Sequence, residues 1–445
     1  MPIKFCKNPY RLNGKEIITT SMITEIKKLK HAQGVISVPG DKSISHRAVI
    51  LGALAEGTSH ISGFLMGEDC LATIDCFRKM GINIDIDGDS VTVEGKGLKG
   101  LKKPEEILYT ANSGTTTRLL LGILSAQDFD AEITGDDSLC KRPMSRVTIP
   151  LSMMGAKLQN TYCPIHVYGK NLKGIKYDMP VASAQVKSAI MLAGLYADGE
   201  TVINEKENTR NHTELMLKAM GADVTTEGKT VRVKKAERIN PIDITVPGDI
   251  SSAAFFLVLG SVLPNSEICL KNVGINPTRT GILDVLTDMG ADFDIANEAI
   301  SGGEMTADIT VRSAKLKGTR VSGAIIPRLI DELPAIAAAA LFAEGETVIA
   351  DAQELKVKET NRIRAVVDEF SRAGADIKET PDGMIIKGGK RLTGADFKTY
   401  GDHRMAMCLT IAAQLADGRC TLDDALCTAV SYPDYFEDFC SLDRE

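Results

Sequence analysis

The chain has no tryptophan, and aromatic residues make up only 5% of it. Proteins that grip nucleic acid rely on stacking platforms and a basic surface. Here Asp and Glu outnumber Lys and Arg by 59 to 52, a formal net charge of −7, so nucleic-acid binding is not expected. No run of 18 or more apolar residues occurs, and the opening MPIKFCKNPYRLNGKEIITTS lacks the continuous apolar stretch of a signal peptide. A cytoplasmic protein with no membrane contact is expected. The ten Cys form no C-x-x-C pair, and the six His lie far apart without H-E-x-x-H spacing. Reduced thiols serving as small apolar filler are therefore expected, with no protein-ligated metal.

What the chain does have is room for large cores, with 445 residues of which 44% are apolar, and a repeat. VPGD occurs at Val38–Asp41 and again at Val246–Asp249. Within each half a finer period recurs: PGDKSISHRAVILGALAEGTSHI, ANSGTTTRLLLGILSAQDFDAEI, VASAQVKSAIMLAGLYADGETVI, PGDISSAAFFLVLGSVLPNSEICL, LIDELPAIAAAALFAEGETVIAD and YGDHRMAMCLTIAAQLADGRCTL. Each opens on small or polar residues suited to a helix start and continues in Ala, Leu and Ile. Gly57, Gly199, Asn265, Gly345 and Gly418 then read as helix stops, because Gly and Asn tolerate a left-handed backbone. A β-rich run follows, and after five of the six a second helix ends in a similar turn: KMGINI, MMGAKL, AMGADV, DMGADF and RAGADI.

The pattern predicts an α/β protein of six repeat units, three per domain, with helices apolar all round and sheets wrapped about them. The expected domains are 39–246 and 1–38 plus 247–445, with the chain crossing between them near 39 and 246 and the active site in the cleft. The sixth unit ends in SYPDYFEDFCSLDRE before any second helix, so its missing strand is expected from MITEIKKLKHAQGVISV.

The helix starts carry the polar chemistry. A helix N-terminus offers unpaired N–H groups and partial positive charge, which attract phosphate and carboxylate. If six such starts face one cleft, they bring together Lys42, Ser43 and Arg47; Asn112, Ser113, Gly114, Thr115 and Arg118; Ser183, Gln185 and Lys187; Asp249 and Ser251; Asp331 and Glu332; and Asp402, His403 and Arg404. Ser, Asp, Asn and Thr there are ordinarily caps, and Asp249 and Ser251 are given a structural role. Arg47 and Arg118 sit inside apolar helices, where a buried guanidinium needs a partner, and a bound anion is favoured over an internal salt bridge. Taken alone, Lys358, Glu359 and Arg362 read as a solvated charged face, and RPMSR at Arg142–Arg146 as an ordinary loop. The accumulated cations Lys42, Arg118, Arg142, Arg210, Lys358, Arg362 and Arg404 in an acidic chain imply two anions. GDKS lacks the G-x-x-x-x-G-K-[ST] spacing, which argues against a phosphate-loop ATPase.

PGDKSISHRA, NSGTTTR, GDDSLCKRPM, ASAQVKSA, DELPAIA, VKETNRI, YGDHRMAM and SYPDYF, in this order, resemble the 5-enolpyruvylshikimate-3-phosphate synthases of the shikimate pathway, over about residues 22 to 438. Residues 1 to 21 precede the usual family start, as an extension or an initiation at Met1 rather than Met22. The resemblance implies the two-domain enolpyruvyl transferase fold of six inverse α/β units. It implies shikimate 3-phosphate contacts at Lys42, Ser43, Arg47, Ser183, Ala184, Gln185, Arg210, Asp331 and Lys358. Phosphoenolpyruvate contacts are implied at Lys42, Gly114, Arg118, Arg142, Gln185, Arg362 and Arg404, supported by Asn112, Thr115, Asp402 and His403. Asp331 is then the base for the 5-hydroxyl, with Glu359 or Lys42 handling the proton at C3. The expected system needs no cofactor and acts as a monomer. Val430 stands where many members have Lys, and Ala184, Leu119 and Glu354 also depart from other members, as in the class II subgroup. Glyphosate occupies the phosphoenolpyruvate position in the family, and Gly114 leaves room for it. The alternatives are the related transferase acting on UDP-N-acetylglucosamine and a non-catalytic anion-binding relative. His46 has no implied role and reads as structural.

Overall fold

The computed structural model describes residues 23–443. The extension and the Met22 start lie outside the described residues. Six helices open the repeats: Lys42–Leu54, Gly114–Leu124, Ala184–Gly194, Ile250–Val262, Leu333–Phe342 and His403–Ala413. Their apolar residues are not confined to one stripe, so contact on one side cannot cover them. Twelve residues of Ile250–Val262 and nine of Leu333–Phe342 are accordingly buried, leaving one edge residue in each less than fully covered. The first three helices pack together, as do the last three.

Five of these helices start as their sequences imply. Asp41, Ser113, Ser183, Asp249 and Asp402 each accept a hydrogen bond from a backbone N–H two or three residues on. The fifth helix has Glu332 at its cap without such a bond. The helix ends differ from expectation. The helices stop at Leu54, Gly194, Val262, Phe342 and Ala413, three to five residues before Gly57, Gly199, Asn265, Gly345 and Gly418. Those residues do have positive φ, but at the exposed surface beyond the helix, Gly57 within the strand Glu56–Ser62 and the others in turns. The chain leaves the buried layer first and reverses only at the surface. The second helices, Glu68–Lys79, Ser145–Met153, His212–Ala219, Gly281–Asp288 and Arg362–Arg372, end as read: Gly81, Gly155, Gly221, Gly290 and Gly374 follow the cap directly, with φ between 83° and 100°.

Five four-stranded sheets share one order. In the second repeat, Leu108–Tyr109 runs parallel to Asp130–Thr134, which pairs antiparallel with Ile165–Tyr168, which pairs antiparallel with Lys157–Gln159. The first and fourth repeats exchange their leading strands. Gln33–Ile36 enters the sheet of Glu267–Gly274, whereas Ile244–Thr245 enters the sheet of Glu56–Ser62. The two crossing segments also touch, with Gly40 bridged to Gly248, Asp41 N donating to Pro247 O at 2.7 Å and Asp249 N to Pro39 O at 2.9 Å. Thr24–Glu25 completes the sixth repeat by pairing antiparallel with Thr421–Leu422, so the N-terminal segment supplies that missing strand. Buried apolar side chains form two clusters. One runs from Ile44 to Val246, and the other joins Ile26–Val38 to Ile250–Leu442. The nine described Cys are free thiols, and no described helix is long and apolar enough to cross a membrane.

Candidate active site

One pocket between the two groups of helices is lined from all six helix starts: Lys42, Ser43 and Arg47; Thr115; Ala184 and Gln185; Asp249 and Ser252; Asp331; His403 and Arg404. Arg210, Arg279, Lys358, Glu359 and Ser431 complete it. The repeat therefore superposes six N–H-rich helix ends on one space, which suits anions.

Arg47, which lines the pocket, and Arg118, which stands behind it, lack a carboxylate partner. Arg47, 3% exposed, donates to Ser43 O at 2.9 Å, Thr213 Oγ1 at 2.7 Å and Ser188 Oγ at 2.9 Å, all uncharged acceptors. Burial pulls its pKa down to about 10. Arg118 donates to Gln185 Oε1 at 2.6 Å and Gly114 O at 3.1 Å. Burial, then Arg142 and Arg146, bring it to about 10 as well. Neither forms an internal salt bridge among the described residues, which leaves both guanidiniums available to an anion.

Behind Arg118, the strained Ala111, at φ 50°, turns Asn112 toward Arg142. Arg142 Nη2 donates to Asn112 Oδ1 at 2.5 Å, and Asn112 Nδ2 donates to Asp136 Oδ2 at 2.7 Å. Gln185 Nε2 donates to Thr115 Oγ1 at 2.8 Å, which links the second and third helix starts. A Cβ on Gly114 would lie 2.4 Å from Arg118 Nη1 and 3.8 Å from Arg142 Nη1.

Asp331 gathers the cations on the opposite side. Its carboxylate meets Arg210 at 2.5 Å, Lys358 at 3.1 Å and Arg362 at 3.4 Å, while Arg404 Nη1 donates to its carbonyl at 3.2 Å. Burial would raise its pKa, but Lys358, Arg404, Arg210 and Arg362 outweigh it and hold the carboxyl well below the usual range. Glu359 is likewise held low, burial being outweighed by Arg362 and Lys358. Lys42 pairs with Asp69, and despite burial that carboxylate raises the lysine pKa. Burial and Arg404 push His403 far below the ordinary histidine value, so it is neutral at pH 7.

Several positions differ from their sequence readings. Arg362, 1% exposed, is no part of a solvated face: it pairs with Asp402 at 2.8 Å, with Glu359 at 2.7 Å and with Asp331. The helix begins only at Arg362, so Lys358 and Glu359 sit in the preceding loop. Lys187 faces away from the pocket into a buried cluster with Glu205 and Glu214. Asn112, Gly114, Arg118, Arg142, Ser183, Arg362 and Asp402 stand behind the lining; Arg118 is joined to it through Gln185, and Arg362, holding Asp402, through Asp331. Asp249 caps its helix as expected but also lines the pocket.

Sequence reasoning missed Asp69, Ser252, Ser431 and, above all, Arg279. Arg279 pairs with Asp41 at 2.7 Å and Asp249 at 2.9 Å, tying together the caps of the two helices that follow the crossings. Its signal lay in the repeat: Arg210 and Arg279 each stand eleven residues before the glycine of their unit, Gly221 and Gly290. Among the described residues no group of three or more His, Cys, Asp or Glu is arranged to hold a metal ion.

Residues 26–439 match the family described as EPSP synthase (3-phosphoshikimate 1-carboxyvinyltransferase). A 3-phosphoshikimate 1-carboxyvinyltransferase of Thermoanaerobacter sp. is 52% identical over 421 residues, 94% of this chain and 99% of that one. One of Bacillus thuringiensis subsp. konkukian is 55% identical over 409 residues, 91% and 95% of the two chains. A solved EPSP synthase from Acinetobacter baumannii superposes with a TM-score of 0.87 at 45% identity, covering 94% of this chain and 98% of that one. With six buried helices wrapped by sheets, and their starts converging on one cationic pocket, the chain belongs to the EPSP synthase family and has its two-domain α/β fold.

Proposed function

We propose that the protein transfers the enolpyruvyl group of phosphoenolpyruvate to the 5-hydroxyl of shikimate 3-phosphate and releases phosphate, a step toward chorismate and the aromatic amino acids. The observation that carries this reading is the meeting of six helix starts with unpaired Arg47 and the Asp331-centred cations in one pocket, with unpaired Arg118 behind it on Gln185. The boundaries 39–246 and 1–38 plus 247–445 are proposed as the domains, supported by the two separate apolar clusters.

Shikimate 3-phosphate is assigned to Lys42, Ser43, Arg47, Ser183, Ala184, Gln185, Arg210, Asp331 and Lys358. Phosphoenolpyruvate is assigned to Lys42, Gly114, Arg118, Arg142, Gln185, Arg362 and Arg404. Asp331 holds Arg210 and Lys358. A phosphate that takes over those cations relieves their pull on the Asp331 carboxylate, whose proton affinity then rises toward what a base for the 5-hydroxyl needs. The attack of that oxygen on C2 of phosphoenolpyruvate, with a proton added at C3, gives a tetrahedral adduct, and loss of phosphate then restores the enol ether. Lys42 carries a proton at neutral pH while Glu359 is ionised, which supports Lys42 as donor to C3 and Glu359 as acceptor in the elimination. The surrounding arginines stabilise the charge that develops on the departing phosphate.

Phosphate release that requires both substrates and no nucleotide tests the reaction, and release with UDP-N-acetylglucosamine in place of shikimate 3-phosphate would overturn it. Asp331→Asn is expected to lower kcat by about 10²-fold or more, the usual worth of a general base. Glyphosate is proposed to compete with phosphoenolpyruvate. Because a Cβ at Gly114 would press on Arg118, Gly114→Ala should raise both the phosphoenolpyruvate KM and the glyphosate concentration for half-inhibition.

A further inference from the structure

Lys187 is fully buried and its side chain does not line the pocket. Its ammonium lies 2.9 Å from Glu205 Oε2 and 2.6 Å from Glu214 Oε1, and donates to Thr209 O at 3.4 Å. Glu205 closes the loop a second time, since its Oε1 accepts from Thr209 N at 3.1 Å and from Thr209 Oγ1. These residues bracket an irregular segment between the strand Thr201–Asn204 and the helix His212–Ala219. Glu205 begins that segment, Thr209 lies near its end and Glu214 is in the helix beyond. One ammonium thus gathers three points of the chain on either side of Arg210, which follows Thr209 and reaches across the cleft to Asp331.

A buried ion cluster of this kind is poor evidence for stability, because desolvation consumes much of the attraction. It does set geometry, since each oxygen has one low-energy place to be. We propose that Lys187 is a positioning residue: through Glu205, Thr209 and Glu214 it restricts the freedom of loop 205–211 and aims the Arg210 guanidinium at the phosphate of shikimate 3-phosphate. The proposal rests on the reading of Arg210 as a ligand of that phosphate. It gives Lys187 no contact with either substrate, so its effect belongs to one substrate only.

The test is steady-state kinetics on the full-length enzyme with Lys187→Met and, because that change leaves two buried carboxylates without their cation, also Thr209→Val. Thr209→Val keeps the shape and leaves no buried charge unpaired. Both variants should raise KM for shikimate 3-phosphate about fivefold or more, with kcat and the KM for phosphoenolpyruvate held within about twofold. In an Arg210→Ala background Thr209→Val should add nothing to the KM, since the group it positions is gone. An unchanged KM in Thr209→Val, or an equal rise with and without Arg210, overturns the proposal. If Lys187→Met does not fold, Thr209→Val alone decides. If Arg210→Ala by itself leaves the KM for shikimate 3-phosphate unchanged, the substrate reading fails first and the positioning role falls with it.

Discussion

His46 shows how far a single residue can be read. The sequence offered it no role, and the structure buries it completely, with Nδ1 2.8 Å from Thr73 Oγ1 and Nε2 without a partner. Burial, then Lys42 and Arg47, drive its pKa well below the ordinary histidine value. The unfolded chain therefore binds this proton before the folded one does. Its contribution to stability is complete above about pH 6.5 and is lost as the pH falls toward the folded pKa. The urea midpoint should accordingly decline between about pH 7 and 5, and His46→Gln, which keeps a hydrogen-bonding amide there, should flatten that decline. Arg47 and Arg118 were legible as anion seekers because a guanidinium buried in an apolar helix must be balanced by negative charge, and their own helices supply none. Arg362 was legible as one of the accumulated cations, but its burial was not, because in letters its run of charges matches a solvated helix face and only folding brings Asp331 and Asp402 to it.

Among the elements, the opening helices and their caps could be read directly, since composition and the first residues determine both. The ends of those helices could not, because Gly57 and its counterparts fall beyond the cap, in the next strand or the turn before it. How closely the helices approach was also hidden. A Cβ added at Gly122 would lie 2.3 Å from the Ala189 carbonyl oxygen, so Gly114–Leu124 and Ala184–Gly194 touch backbone to backbone there. Gly122→Ala should cost about 1–3 kcal/mol despite the better helix propensity of alanine, seen as a lower urea midpoint. A gain in stability would show that the two helices can separate without loss.

For the whole molecule, the decisive feature is the double crossing, where Gly40 pairs with Gly248 and Arg279 joins Asp41 to Asp249. Arg279 is 2% exposed, and its pKa is raised because Asp41, Asp249 and Glu332 outweigh the cost of burial. Arg279→Met would leave those carboxylates buried without a counter-charge, so a loss of about 3–5 kcal/mol is expected, measurable by urea unfolding. Across the cleft, Arg210 and Asp331 make the contact that an arriving phosphate would contest. Shikimate 3-phosphate should therefore raise the thermal midpoint of the wild type, by an amount equivalent to about 2.7 kcal/mol at a hundred times its Kd, and raise that of Arg210→Ala less at the same concentration.

The six-unit repeat, the buried helices, their capped starts and the excess of cations at those starts were determined by sequence alone, because periodicity, capping and charge are local properties of the chain. Which strands change places at the crossings, which carboxylate gathers Arg210, Lys358 and Arg362, and why Lys187 turns inward were decided only by tertiary structure. Those contacts join residues far apart in the chain, and neither burial nor the geometry of an ion pair exists until the units have packed against one another.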